Sequence, residues 1–151
     1  MLSQTVEYAL RAMVHLAALK PEASLNSESI AEQTKVPQGY LSKILRDLVV
    51  AGLVVSQRGP NGGFTLARAP DRISMLDVIS AVEPLRRITK CPLGNPAHLR
   101  LCPLHQRIDD ALDHLERKFR STSLADILAS EPRAGGQCRS LTLTNVSSKK
   151  A

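Results

Sequence analysis

Tryptophan is absent from the chain, and two tyrosines and two phenylalanines make up its whole aromatic content. Hydrophobic residues still amount to 43%, so the core must be built from Leu, Ile, Val and Ala, as suits a mainly helical domain. A length of 151 residues allows one core of useful size. Long apolar runs are missing as well. None could span a bilayer, and the first residues alternate apolar with charged side chains, so neither a membrane helix nor a signal peptide is expected and a cytoplasmic location is. Cysteine is scarce: Cys91, Cys102 and Cys138 are the three present. Without an export signal they point to thiols or metal ligands rather than to a disulfide framework. Enzyme signatures are scarce too: there is no Gly-rich phosphate loop after a strand, no metalloprotease His pair, and no nucleophile–base pair beyond Cys91 or Cys102 with a nearby His. The chain is therefore expected not to be an enzyme.

What is present centres on residues 26–66. Asn26 or Ser27 can cap a first short helix, with Glu28 in its opening turn where the helix dipole favours an acid. Pro37 marks the start of a second helix over residues 38–50. Along it Leu41, Ile44, Leu45 and Leu48 share one face, while Gln38, Gly39, Ser42, Lys43 and Arg46 lie on others. Gly52 stands where a helix end calls for positive φ, and a Val-rich strand over residues 53–56 follows. The turn Gly59-Pro60-Asn61-Gly62-Gly63 then leads into a second strand over residues 64–66. Two helices followed by a hairpin make a winged helix-turn-helix: a mainly α fold with a small β-hairpin. Arg58, directly before the glycine turn, suits a phosphate or a minor groove.

Residues 32–66 resemble the bacterial transcriptional regulators typified by IscR and NsrR, the iron–sulfur and nitric-oxide-sensing repressors. The likeness is carried above all by Tyr40-Leu41-Ser42-Lys43-Ile44-Leu45 and by Ala51-Gly52-Leu53-Val54-Val55-Ser56-Gln57-Arg58-Gly59-Pro60-Asn61-Gly62-Gly63-Phe64. It continues through residues 73–82, includes the opening Thr5-Val6-Glu7-Tyr8-Ala9-Leu10-Arg11-Ala12-Met13, and spans roughly residues 1–128. The resemblance implies a homodimeric, sequence-specific regulator of transcription, in the repressor mould, acting on a palindromic operator in double-stranded DNA. Two reading heads related by a dyad would place their second helices in successive major grooves. Gln38 and Ser42 are then the candidates for base edges, Gly39 permits close approach, and Tyr40 contacts the backbone or packs beneath. Lys43 and Arg46 take phosphates, and Arg58 with Gly62 in the adjoining turn meets the minor groove.

The net charge of +6 agrees once its placement is considered. Residues 1–83 hold eight basic and eight acidic side chains, and residues 84–151 hold twelve and six. Within residues 35–68, however, Lys35, Lys43, Arg46, Arg58 and Arg68 are opposed only by Asp47, a plausible phosphate footprint. The near-neutral first half leaves room for a rival, a winged-helix protein-interaction module that does not bind DNA, but that rival gives no reason for Arg58 beside the glycine turn.

A first helix over residues 3–20 directs Val6, Ala9, Leu10, Met13, Val14 and Ala17 inward. Residues 74–82 form another, ended by Pro84. From 85 to 101 there is no periodic stripe, and this loop is bracketed by Cys91 and Cys102. Thiolates and imidazoles on such a loop can converge on iron or zinc. In the resembling family its position is that of a sensor loop with three cysteines. Cys91 and Cys102 match the outer pair and His105 a histidine three residues beyond the last; the middle cysteine is missing. Four readings stay open: an iron–sulfur cluster completed by His105, His98 or Glu7; a thiol pair that oxidises to a disulfide; a loop without a cofactor; or two small buried hydrophobes. Glu7 enters because the family's first helix can supply a carboxylate to a cluster held mainly by the partner subunit; alone, it reads as an i,i+4 partner of Arg11. Cys138, in the tail, is not recruited.

Residues 103–120 form the longest helix, with Leu104, Ile108, Ala111, Leu112, Leu115 and Phe119 in one stripe and Arg107, Asp109, Asp110, Asp113, Glu116, Arg117 and Lys118 elsewhere. Such a stripe wants a partner, and a second copy of the chain is the expected one. Ser121 or Ser123 caps a last short helix over residues 124–128, with Asp126 at capping-box distance from Ser123. The organisation expected is thus a DNA-binding domain over 1–83, a sensor-like loop over 84–102, a dimerisation helix and short terminal helix over 103–130, and a mobile tail over 131–151.

Overall fold

A computed structural model describes residues 2–94, 96–97 and 100–130. His98, Cys138 and the tail from 131 onward, all singled out above, lie outside the described residues.

The hub is α1, Gln4–Ala17, which packs against four other helices and the wing. Ser3 caps it by accepting from the Val6 N–H, and the same hydroxyl donates to the Glu83 carboxylate, tying the start of α1 to the end of a helix eighty residues away. The helix stops three residues short of the sequence expectation, at Ala17, and Pro21 and a positive-φ Glu22 follow in the turn. Ala9, Ala12 and Met13 are fully enclosed, and the small alanines let neighbouring helices approach closely. Leu10, assigned to the core from its spacing, is only partly buried, whereas His15 is buried and its pKa is pushed below the ordinary value by that burial.

Asn26 caps α2, Ser27–Thr34, by accepting from the Ser29 N–H at 2.8 Å. Lys35 then takes a left-handed conformation, φ +57°, and turns the chain into α3, Gln38–Val50, with Pro37 as the residue before the first turn rather than within it. Leu41, Ile44, Leu45 and Leu48 of α3 are buried against α1 and the helix that follows the wing. Each contributes roughly 1.5–3 kcal/mol of burial. Gly52, φ +71°, ends the helix as its sequence position predicted.

The wing consists of β1, Val54–Gln57, and β2, Gly63–Leu66, paired antiparallel with Val54 opposite Leu66 and Gln57 opposite Gly63. Both strands sit one residue from their expected bounds. A third segment joins them: the Phe64 N–H donates to the Leu25 carbonyl at 2.7 Å and the Leu25 N–H donates back at 3.2 Å. Gly63 makes this possible, because a Cβ there would stand 2.6 Å from the Leu25 carbonyl group.

A short 3₁₀ turn, Pro70–Arg72, precedes α4, Met75–Val82. Later come α5, Pro103–Arg120, and α6, Leu124–Ala129. Helices α4 and α6 begin with matching capping boxes, Ser74 with Asp77 and Ser123 with Asp126. The two caps lie side by side: the Met75 N–H donates to the Thr122 carbonyl and the Leu124 N–H to the Ile73 carbonyl, each at 2.9 Å. Leu124 is fully enclosed in the same core as α1 and α3, so the short terminal helix shares the hydrophobic core of the winged domain.

Two glycines test this account. Gly63→Ala should cost roughly 1–3 kcal/mol of stability, since the new methyl group meets backbone and cannot be relieved by a rotamer change. Gly39→Ala, with nothing within 4 Å of its Cβ position, should leave stability unchanged or raise it by up to roughly 1 kcal/mol. Urea unfolding of both variants decides; equal midpoints for Gly63→Ala and wild type would contradict the close approach.

Candidate nucleic-acid interface and cysteine site

Because α3 buries one face completely, its other face is held outward as a rigid unit. Gln38, Gly39, Tyr40, Ser42, Lys43 and Arg46 are all exposed on it. Ser42 Oγ donates to the Gln38 carbonyl at 3.0 Å. Tyr40 is 57% exposed, which removes it from the core and leaves the reading in which it faces outward. Its ring meets Tyr8 of α1 edge-on at 6.1 Å; Arg11 lies over the Tyr8 ring and donates to the Thr34 carbonyl at 2.9 Å, so the polar side of α1 braces the turn between α2 and α3.

Arg58 follows β1 and is exposed beside Gly59. The wing tip is fixed by the Ser24 hydroxyl, which donates to the Asn61 carbonyl at 3.0 Å, and by the Gly62 N–H, which donates to the Gly59 carbonyl at 2.9 Å. A Cβ on Gly62 would stand 2.5 Å from the Gln57 carbonyl oxygen, so this glycine shapes the turn. Lys43, Arg46 and Arg58 form no ion pair among the described residues. Exposed cations without a carboxylate partner are the kind of side chain that pairs with phosphates.

The second site lies at the start of α5. Cys102 is its N-cap residue and Pro103 its first helical residue, where no N–H is needed. One turn on, His105 Nδ1 lies 3.1 Å from Cys102 Sγ and 3.8 Å from Cys91 Sγ. The three ligand atoms lie within 4.8 Å of one another, and all three side chains are half-buried. The structure thus gathers Cys91, Cys102 and His105 as the sequence suggested. Within one chain it does not bring Glu7 to them: that carboxylate pairs with Arg11 at 2.5 Å on the surface of α1.

Sequence reasoning missed what holds the cysteine loop in place. Arg87 forms a two-pronged pair with Asp109, Nε to Oδ1 at 2.8 Å and Nη2 to Oδ2 at 2.7 Å, and reaches Asp113 at 2.6 Å. The Ile88 N–H also donates to Asp109 Oδ1, at 2.9 Å. Asp109, placed on the polar side of α5 by the sequence, is buried. A salt bridge whose partners are 22 residues apart leaves no periodic signal; only an acid one turn beyond His105 hinted at it. The opposite side of α5 stays open, with Leu104 64%, Ile108 41% and Leu115 44% exposed, and Leu112 and Phe119 half-buried in the same stripe. No helix is long and apolar enough to cross a membrane among the described residues.

The pattern that defines the Rrf2 family, described as an iron-dependent transcriptional regulator, matches residues 2–130. The regulator NsrR of Geobacillus kaustophilus is 33% identical over 130 residues, covering 84% of this chain and 88% of its own. Among solved structures, CymR, the global cysteine regulator of Bacillus subtilis, superposes with a TM-score of 0.73 at 28% identity, covering 87% of this chain and 98% of its own. IscR of T. potens does so with a TM-score of 0.71 at 29% identity, over 85% and 86%.

The Arg87 clamp carries a pH signature. The Arg87 guanidinium, and after it the Ile88 N–H, hold the Asp109 carboxyl down to about 2 from an ordinary 3.8. A carboxyl more acidic in the folded chain than in the unfolded one lends stability that is complete above its unfolded value and lost as pH falls through its folded value. The stability gap between wild type and Asp109→Asn should therefore hold steady from neutrality down to pH 3.8 and close as the pH approaches 2. Denaturant titrations at about pH 6 and about pH 2.5 measure it, and a gap of equal size at both would rule the clamp out as the cause.

Proposed function

Since the chain belongs to the Rrf2 family of transcriptional regulators, we propose that it binds a palindromic operator as a homodimer in the cytoplasm, with affinity set by the state of Cys91, Cys102 and His105. The chain is a DNA-binding regulator and not an enzyme, and the protein-interaction module is not favoured. The observation that carries the detailed reading is the set of exposed cations without an ion pair, Lys43 and Arg46 on α3, whose other face is locked into the core, and Arg58 at the wing. In this reading Gln38 and Ser42 meet base edges, with Ser42 turning its hydroxyl from the Gln38 carbonyl to do so. Gly39 admits the backbone of α3 close to DNA, and Tyr40 meets the sugar–phosphate chain. Arg58 enters the minor groove, and Gly62 keeps the tip compact enough to follow it. The dimer seam is the open stripe of α5: Leu104, Ile108, Leu112, Leu115 and Phe119.

Control follows from position. Cys102 stands at the N-cap of α5 and Arg87 binds the preceding loop to the same helix. A change of bonding among Cys91, Cys102 and His105 shifts the seam that sets the two reading heads relative to each other.

A duplex selected from a random library provides the test. Its affinity should fall steeply with salt, because phosphate neutralisation releases counterions. Arg58→Ala and Lys43→Ala should weaken binding to all sequences and each lower the salt slope by about one, whereas Gln38→Ala should relax the preference at one position of each half-site. A flat salt dependence would return the protein-interaction reading. Control is tested separately: operator affinity of wild type should differ between oxidising, reducing and iron-replete conditions, and that of the Cys91→Ala, Cys102→Ala double variant should not. Wild-type affinity that is the same in all three ends the sensing reading.

A further inference from the structure

The family likeness suggests an iron–sulfur cluster at the cysteine loop, and the residues present do not fit one. Clusters of the common types are held by four protein ligands, and a two-iron cluster needs them as two pairs diverging onto two metals. Among the described residues, the site gathers two thiols and one imidazole. No cysteine occurs between Cys91 and Cys102, and within one chain Glu7 lies on the surface of α1, paired with Arg11 rather than with these three donors. The geometry also has a single focus: Cys91 Sγ, Cys102 Sγ and His105 Nδ1 all lie within 4.8 Å of one another, with the imidazole nitrogen 3.8 Å and 3.1 Å from the two sulfurs. Three soft or borderline donors set around one point are the first three corners of a tetrahedron, the geometry of a metal bonded to sulfur at about 2.3 Å and to nitrogen at about 2.0–2.1 Å.

We propose that Cys91, Cys102 and His105 bind one divalent ion of the zinc class, with a fourth position left to water or to an incoming donor. Two supports favour this in the free chain. Cys102 and His105 are fixed by the first turn of α5, i and i+3, so their separation is set by helix geometry. Cys91 is brought to them by a tight turn, in which the Gly94 N–H donates to the Cys91 carbonyl at 3.1 Å with Gly94 at φ +62°, and by the Arg87 clamp four residues upstream. Two thiolates and an imidazole select zinc over the harder magnesium and calcium, which prefer oxygen. The open fourth corner is the feature of exchangeable sites rather than closed structural ones. The inference rests on the regulatory reading only in naming what the loop carries; the ion site can exist without it.

The test uses the full-length chain, purified anaerobically and freed of metal. Titration with cobalt(II) should give one ion per chain, with sulfur-to-cobalt charge-transfer absorption and the intense visible bands of tetrahedral coordination, and one equivalent of zinc(II) should abolish both. Cys91→Ser, Cys102→Ser and His105→Ala should each weaken cobalt binding by at least about tenfold, while a thermal melt of each metal-free variant confirms the fold. Iron and acid-labile sulfide in equal amounts in the anaerobic isolate would overturn the proposal, as would cobalt binding indifferent to all three substitutions. Operator affinity with and without zinc separates the two readings. Zinc that binds without altering DNA affinity supports the site and removes its regulatory role. DNA affinity that answers to oxidant in a protein that takes up no cobalt keeps the regulation and rejects the ion.

Discussion

The buried face of α3 is the constraint on which the rest depends. Leu41, Ile44, Leu45 and Leu48 are sealed against Ala9, Ala12 and Met13 of α1 and against Val78 of α4, and truncating any one of the leucines to alanine would typically cost 2–5 kcal/mol. That is a large share of the 5–15 kcal/mol by which a domain of this size is stable. It follows that α3 has no freedom to roll, and its outward residues are presented in one orientation. The surface ion pairs of the same chain cannot compete as organisers: Arg117 with Asp113 and Arg120 with Glu116 are exposed i,i+4 pairs, a class worth roughly 0.3–0.5 kcal/mol each. Apolar burial sets the reading head, and charge decorates it.

The wing obeys a second, backbone-level constraint. A two-stranded hairpin alone is marginal in water, and β1 and β2 are four residues each. Leu25 supplies a third partner through Phe64, and its neighbour Ser24 holds the tip through Asn61. The segment entering α2 therefore also stiffens the element that carries Arg58. Reading helix and wing are positioned by one continuous stretch of chain, so neither can shift without the other.

Most of this architecture was legible in the sequence wherever the signal is local. Residues 38–50 and 103–120 carry their periodic stripes and breakers within themselves, and the bounds of α3 and α5 agree with them. Ser123 and Asp126 announce a capping box three residues apart, and it is there. Legibility ends where a partner is distant. Nothing near Leu25 shows that Phe64 will accept from it, and nothing in six residues of α6 shows that Leu124 will join the core beside α1. Leu10 does pack against the core, but only partly buried, and Tyr40's exposure was left open, because a helix stripe is wider than its buried centre and which marginal position is covered depends on the neighbour. The cysteine site lies between these cases. The spacing of Cys102 and His105 is one helical turn and could be read directly, whereas the approach of Cys91 needed the loop's path, and that path is set by Arg87 reaching across 22 residues to Asp109.

That last pairing explains why a small event at the loop need not stay there. Arg87 is gripped by Asp109 and Asp113, one turn apart on α5, and Ile88 adds a backbone bond to the first of them. The loop is thus anchored at both ends to a single helix: by Arg87 at its second and third turns and by Cys102 at its N-cap. In the proposed reading, a change of bonding between Cys91 and Cys102 is passed on to α5, because Arg87 and Ile88 tie the preceding segment to Asp109 and Asp113 of that helix. It would reach the first turn of α5 and the contact of α5 with α4. The exposed stripe begins in that first turn, at Leu104, and α4 packs directly on the buried face of α3. The shortest routes through packed residues from the thiols therefore lead to the exposed apolar stripe of α5 and to α3, the two surfaces whose relative placement a palindrome would measure in the proposed reading.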